Sequence, residues 1–354
     1  MYKLESVVWE ITVGCNLRCR HCGSACTEGQ ADELNTEEGL DLIDDIMRLK
    51  PSEITLTGGE PFLRKDWYVL AKRISEYNVK LRIITNGTCV TPDVVRLLAD
   101  ANVEVVGVSL DGTCELHNNI RNTNCYNQCF KALTLLKEAG ISTSVNTTVM
   151  KNNISILPQI KKELQNAGVK AWQIQPGIAS GRLAEHRDWM IVPDDMEKLI
   201  DYAYDENLKD ENLKIFLPDT VGYYSNKEML SRKIACGSNE YPVWSGCNAG
   251  IRSVGILSNG DVIGCLSIRD QSFIEGNVRN RSIFDIWNDK DSFAWRRQLT
   301  PKKLSGHCQS CKYAHLCLGG CTNMRLCTQG TIYSSNEFCI YHVKTRNNSD
   351  KNQI

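Results

Sequence analysis

Between residues 7 and 175 the sequence alternates six short apolar runs with five helical patterns, each run leading into a polar loop. The strand candidates are residues 7–13, 53–57, 80–85, 104–110, 141–149 and 169–175. Helical stretches separate them. Asn35 followed by Glu38 can form a capping box, with Leu40, Ile43 and Met47 on one face. Residues 66–77 continue the pattern, residues 91–99 carry Pro92 at a permitted early position, residues 125–139 end at Gly140, and residues 156–167 complete the set. Strands that alternate with helices build a mostly parallel α/β sheet, because a parallel neighbour is reached through a crossover and the crossover is right-handed. The length is short for eight units, so a partial (β/α)6 barrel is expected.

Chemistry in such folds sits at the carboxyl ends of the strands. Those ends carry Cys15, Glu60, Asn86, Asp111, Asn146 and Gln175. Any one of them can be a turn residue, but their repetition at equivalent ends points to one shared cavity.

The first end also carries Cys15-x3-Cys19-x2-Cys22. Thiolate is the expected ligand of iron–sulfur centres, and three thiols at this spacing can reach three irons of a cubane, leaving the fourth open to a small molecule. Zinc, or cysteines that merely lie close together, are the alternatives that spacing alone leaves open. The chain has 17 cysteines, an odd number, with no apolar export signal at its start and no run long enough for a membrane span. A cytoplasmic protein with metal sites is therefore expected in place of a disulfide scaffold. Lysine plus arginine number 41 against 42 acidic residues, so no basic field invites nucleic acid.

The cysteine segment resembles the signature of radical S-adenosylmethionine (SAM) enzymes. Gly58-Gly59-Glu60-Pro61 resembles their GGEP motif. Thr85-Asn86-Gly87, Ser109-Leu110-Asp111-Gly112 and the stretch from Pro176-Gly177 to Gly181-Arg182 resemble later strand ends. The resemblance implies a TIM-like barrel whose Cys15, Cys19 and Cys22 hold a SAM-binding 4Fe-4S cluster. It also implies that Gly58, Gly59 and Glu60 align the methionine amino group, that Asn86, Ser109 and Asp111 touch ribose or carboxylate, and that Asn146 and Arg182 are weaker candidates for the same contacts. The chemistry implied is reductive cleavage of SAM to methionine and a 5′-deoxyadenosyl radical.

A second cysteine-rich region follows, with Cys247, Gly260 and Cys265, then Cys308, Cys311, Cys317, Cys321 and Cys339. Paired cysteines are common in zinc sites, yet the pattern resembles the SPASM extension of radical SAM enzymes. That likeness implies two auxiliary 4Fe-4S clusters, three clusters in all: Cys247, Cys265 and Cys321 on the nearer one, and Cys308, Cys311, Cys317 and Cys339 on the outer one. Cys236 is a candidate to complete the nearer site. Cys26 and Cys327 lie beside the motifs and are candidate catalytic thiols, although most spare cysteines are small buried hydrophobes. The expected organisation is a radical SAM core over residues 1–190, a linker and transition region over 191–235 in which residues 192–207 read as helix and 213–217 as an extended segment, a cysteine-rich SPASM domain over 236–344 and a polar tail over 345–354.

SPASM-like enzymes commonly modify peptides, so the resemblance implies hydrogen abstraction from a ribosomally made precursor peptide, giving a carbon–carbon or thioether crosslink. Formylglycine formation on a sulfatase, peptide epimerisation and non-catalytic electron transfer are the competing readings. The cysteine motif begins at Cys15, which leaves little room for a leader-binding domain; a separate leader-binding protein and a flavodoxin or ferredoxin donor are the expected partners, with neither nucleic acid nor membrane.

Overall fold

A computed structural model describes residues 2–237 and 244–351, with side chains as far as residue 346. The six expected strands and the helices between them are present. They comprise β1 (Ser6–Thr12), α1 (Thr36–Arg48), β2 (Glu53–Gly58), α2 (Trp67–Ser75), β3 (Lys80–Thr85), α3 (Pro92–Asp100), β4 (Val105–Ser109), α4 (Cys114–Arg121), α5 (Tyr126–Glu138), β5 (Ser142–Val149), α6 (Leu157–Ala167) and β6 (Ala171–Pro176). The capping box at α1 forms as its sequence demands: Asn35 Oδ1 accepts the Glu38 N–H at 3.0 Å and Glu38 Oε2 accepts the Asn35 N–H at 2.8 Å. The short α4, absent from the sequence reading, ends at Asn122 in the left-handed region.

The parallel sheet does not stop at six strands. Beyond α7 (Asp195–Lys209), β7 (Lys214–Phe216) pairs parallel to β6, and α8 (Asn226–Cys236) packs beside it. At the opposite edge β8 (Ser253–Ile256) pairs parallel to β1, and β9 (Asp261–Ile263) and β10 (Ile274–Asn277) continue antiparallel. Among the described residues the sheet order is β10-β9-β8-β1-β2-β3-β4-β5-β6-β7. In the stretch 191–235, expected to be a linker and transition region, the helix and the extended segment form as α7 and β7, and the strand joins the main sheet with α8 behind it. Short helices complete the chain: α9 (Ile283–Asn288), α10 (Ala294–Arg297), α11 (Gly306–Gln309), α12 (Ala314–Cys317), α13 (Thr322–Gln329) and α14 (Ile340–Lys351).

Strand alternation separates core from site. In β1, Val7, Trp9 and Ile11 are fully buried in the main apolar core. A Cβ built on Gly39 of α1 would lie 3.2 Å from the Trp9 ring, which puts the odd residues under the helices. The even residues Val8 and Glu10 face a cavity on the other side of the strand.

Candidate active site

The loop after β1 is held from two sides. The N–H groups of Gly59 and Glu60 donate to the carbonyls of Thr12 and Gly14, each at 2.8 Å. This approach leaves no room for side chains: a Cβ on Gly59 would sit 2.2 Å from the Gly14 oxygen, and one on Gly58 equally close to the Thr12 oxygen. The two glycines therefore dock the end of β2 against the residue before Cys15. From the far side Arg182 donates through its backbone N–H to the Cys22 carbonyl at 3.0 Å, through Nε to the Cys19 carbonyl at 2.8 Å and through Nη1 to the Cys26 carbonyl at 3.1 Å.

A cavity of about 360 Å³ opens above this loop, lined by Cys15, Cys19, Cys22, Cys26, Gly58, Gly59, Asn86, Ser109 and Arg182. Thr148 and Gln175 line it from the ends of β5 and β6, and Leu266, Ser267 and Arg269 from the segment after β9. The Asn86 side chain donates to Asn16 Oδ1 at 3.0 Å and lies 4.0 Å from Cys15 Sγ.

Three expected contact residues take other positions. Glu60 is fully buried and outside the cavity lining. Its oxygens accept Thr85 Oγ1–H at 2.7 Å and the Asn86 N–H at 2.8 Å, so it braces the turn that carries Asn86. Burial raises its carboxyl to about 7 against those hydrogen bonds. Asp111 is also fully buried and outside the lining. Its Oδ2 accepts Arg121 Nη2 at 2.6 Å and His21 Nε2 at 3.1 Å, while Oδ1 accepts the Thr148 N–H at 3.0 Å. Burial opposes its charge, but Arg121 and His21 outweigh that and hold the carboxyl far below the usual range. Asn146 is half-buried opposite Ser109 in the β4–β5 ladder, with its amide over Gly107; Thr148, two residues on, reaches the cavity instead.

Sequence reasoning missed Arg121, His21, Glu10 and Arg269. Glu10, 2 % exposed, was visible as the one charge inside an apolar strand. Arg269 was not: its guanidinium crosses from the C-terminal region to Glu10, with contacts of 2.6 and 3.1 Å, and to Ser24 Oγ at 2.5 Å.

The C-terminal thiols fall into two groups. Cys321 lies within the electrostatic reach of Cys247 and Cys265, and the Cys265 thiol is raised first by burial and then by the charge of Cys247. Cys308, Cys311, Cys317 and Cys339 line a second cavity of about 320 Å³, walled by Tyr223, Tyr224, Tyr313 and Tyr341. Tyr223 joins the groups: its hydroxyl accepts the Cys321 N–H at 2.9 Å and its ring packs with Cys317 and Cys339. Burial pushes the Cys19 thiol up to about 11 and Cys339 to about 12, and raises Cys317 and Cys321 further, so these sulfurs ionise when a cation offsets their burial. All are free thiols. Such donor sets suit soft metals and iron–sulfur clusters. Cys236 is exposed at the last residue of α8 and lines neither cavity. Cys26 is buried against Cys22, whereas Cys327 lies on α13, outside both cavities, with its thiol donating to Asn323 Oδ1 at 3.4 Å.

Residues 9–164 match the Radical SAM superfamily, and residues 247–312 match SPASM, an iron-sulfur cluster-binding domain. The chain is a radical SAM enzyme with a SPASM domain. Relatives at 27–28% identity align over 89–98% of its length. The AdoMet-dependent heme synthase of Oleidesulfovibrio alaskensis is 28% identical, covering 98% of this chain and 89% of that protein. A mycofactocin maturase of Mycobacterium tuberculosis is 27% identical over 89% of this chain and 77% of the relative. In fold, the radical SAM–SPASM chain is similar to Streptococcus suis SuiB bound to S-adenosylmethionine, with a TM-score of 0.76 at 17% identity, covering 96% of this chain and 78% of SuiB. SAM and iron–sulfur clusters are the cofactors of these domains. Among the described residues no helix is long and apolar enough to cross a membrane.

Proposed function

We propose that this radical SAM–SPASM enzyme abstracts a hydrogen atom from a ribosomally made peptide and forms a carbon–carbon or thioether crosslink. The observation that carries the reading is the shared cavity: the cysteine loop forms one wall and Leu266, Ser267 and Arg269, just after Cys265, form another. A substrate held between them lies beside both the initiating site and the nearer auxiliary thiols. Sequence relationship to mycofactocin maturases supports peptide chemistry, as does likeness in fold to SuiB, which has been solved with its precursor peptide SuiA.

Cys15, Cys19 and Cys22 hold the SAM-binding cluster in this reading, Cys247, Cys265 and Cys321 the nearer auxiliary cluster, and Cys308, Cys311, Cys317 and Cys339 the outer one. The first cluster supplies, when bound, the electron that cleaves SAM to methionine and a 5′-deoxyadenosyl radical. The chain's own part is positional. Gly58 and Gly59 bring backbone polar groups to the cavity wall, Asn86 and Ser109 offer hydrogen bonds to SAM, and Arg182 keeps three carbonyls of the cysteine loop in place. Apolar Val8, Leu17 and Leu266 limit water at the reacting centre. A low-potential flavodoxin or ferredoxin is the electron donor this scheme requires.

A second reading has its own support: a heme synthase relative spans 98% of the chain, and a pre-heme d1 synthase spans 90%. A tetrapyrrole is the substrate on that reading. The deciding experiment incubates the reconstituted enzyme anaerobically with SAM, reductant and either a precursor peptide encoded beside its gene or an iron porphyrin precursor, in deuterium oxide. A peptide that loses two hydrogens, with fragmentation locating a bridge, is the expected result. Uptake of one deuteron at an otherwise unchanged residue would mean epimerisation, and turnover of the porphyrin alone would overturn the peptide reading.

A further inference from the structure

Arg64, Arg121 and Arg232 are withdrawn from water, and each is paired with a carboxylate: Asp66, Asp111 and Glu228. Two arginines of the cysteine-rich region are treated differently. Arg325 on α13 is fully buried and Arg296 on α10 is 5% exposed, and among the described residues neither forms an ion pair with a carboxylate. A guanidinium stays protonated, and a buried charge without a counter-ion is costly.

Both heads sit among the C-terminal thiols. Arg325 donates through Nη1 to the Ile332 carbonyl and through Nη2 to the Leu318 carbonyl at 3.2 Å, while its Nε has no partner. Leu318 follows Cys317 of the outer group, and Ile332 packs in one cluster with Cys265 of the nearer group, so this guanidinium lies between the two. Arg296 donates through Nε to the Cys247 carbonyl at 2.8 Å. Backbone closes over each head. A Cβ on Gly319, at φ +84°, would lie 2.7 Å from Arg325 Nη1, and one on Gly246, at φ +99°, would lie 2.6 Å from Arg296 Nη2. Burial lowers both guanidinium groups from their ordinary value, and the strongest opposing influences are thiols: Cys247 and Cys308, then Cys321, on Arg325, and Cys247 on Arg296.

An iron–sulfur cluster held by thiolates is an anion and becomes more negative on reduction, so its potential follows the charge around it. We propose that Arg296 and Arg325 are the counter-ions of the auxiliary iron–sulfur sites, Arg325 serving both and Arg296 the nearer one, and that their fixed charge raises the potential at which those clusters take up an electron. The inference rests on the reading of the C-terminal thiols as cluster ligands. Both arginines act through the clusters and are positioning residues. A raised potential favours the cluster as acceptor of the one electron that a substrate radical gives up, together with a proton, as it closes a bond.

The test uses the full-length enzyme reconstituted anaerobically with iron and sulfide. Iron per chain and a reductive titration followed by electron paramagnetic resonance are recorded for the wild type, Arg325→Met, Arg325→Lys and Arg296→Met. Each is also prepared with Cys15→Ala, Cys19→Ala and Cys22→Ala together, so that the auxiliary signals stand alone. At the poise that half reduces the wild-type auxiliary clusters, both methionine variants are expected to show a reduced-to-oxidised ratio about tenfold lower or more, which is about 59 mV downward for a one-electron couple. Arg325→Lys, which keeps the charge, is expected to stay within about threefold, and iron content and the signal of the first cluster are expected not to change. Arg296→Met and Arg325→Lys keep the test decisive should Arg325→Met lose its iron. Unmoved potentials in iron-loaded methionine variants would overturn the counter-ion role and leave the cluster reading intact. A triple-alanine protein that retains no iron would overturn the cluster reading and this inference with it.

Discussion

Asp111 and Arg121 illustrate how an ion pair can brace the candidate site, the carboxylate lying behind the cavity lining and the arginine within it. Their ion pair is almost fully buried, and Asp111 also fixes His21 and the backbone at Thr148. A buried pair of this kind contributes little against an apolar replacement of both partners, but removal of one partner strands the other charge. Asp111→Asn is expected to cost about 3–5 kcal/mol of stability, read from anaerobic urea unfolding followed by circular dichroism. A loss below about 1 kcal/mol would mean that Arg121 finds another anion or water. Residue types at the strand ends were legible in the sequence; their roles were not. Glu60, Asp111 and Asn86 all read as ligand contacts, and of these only Asn86 reaches the cavity, because local motif gives no account of which carboxylates are used up by neighbouring donors.

At the scale of elements, the two glycines at the end of β2 act by letting backbone meet backbone. Gly59→Ala places a methyl where the Gly14 carbonyl now stands, and the cysteine loop must move to admit it. Overpacking of this kind costs about 1–3 kcal/mol. The variant is therefore expected to lose about tenfold or more in SAM cleavage, measured as 5′-deoxyadenosine released, with the fold retained by circular dichroism. Wild-type rates would show that the loop tolerates the shift. Strand and helix positions in this half were legible because each unit closes locally: the Asn35–Glu38 box, Thr91 capping Pro92–Asp100 and the left-handed glycines after α5 and α6 all act within a few residues.

For the whole molecule, coupling between the two matched regions rests on contacts that span the chain. β8 pairs with β1 across some 250 residues, and Arg269 joins Glu10 and Ser24. In the proposed function this seam orients the wall around Ser267 relative to the cysteine loop. Arg269→Ala is expected to leave 5′-deoxyadenosine formation within about threefold of wild type while peptide product per 5′-deoxyadenosine falls about tenfold, since small displacements of a bound reactant are costly. Equal losses in both readouts would mean that Arg269 acts only through stability.

The sequence by itself determined the alternating strands and helices, the thiol spacing that suits iron–sulfur chemistry, and the family to which both belong. Those features depend on period and on short separations along the chain. Tertiary structure decided that the sheet runs past six strands, that residues 191–235 join it, and that Glu60 and Asp111 brace the cavity instead of lining it. The physical reason is the same in each case: strand pairing over long separations, and competition among buried donors and acceptors for partners, are settled by packing and leave no local signature.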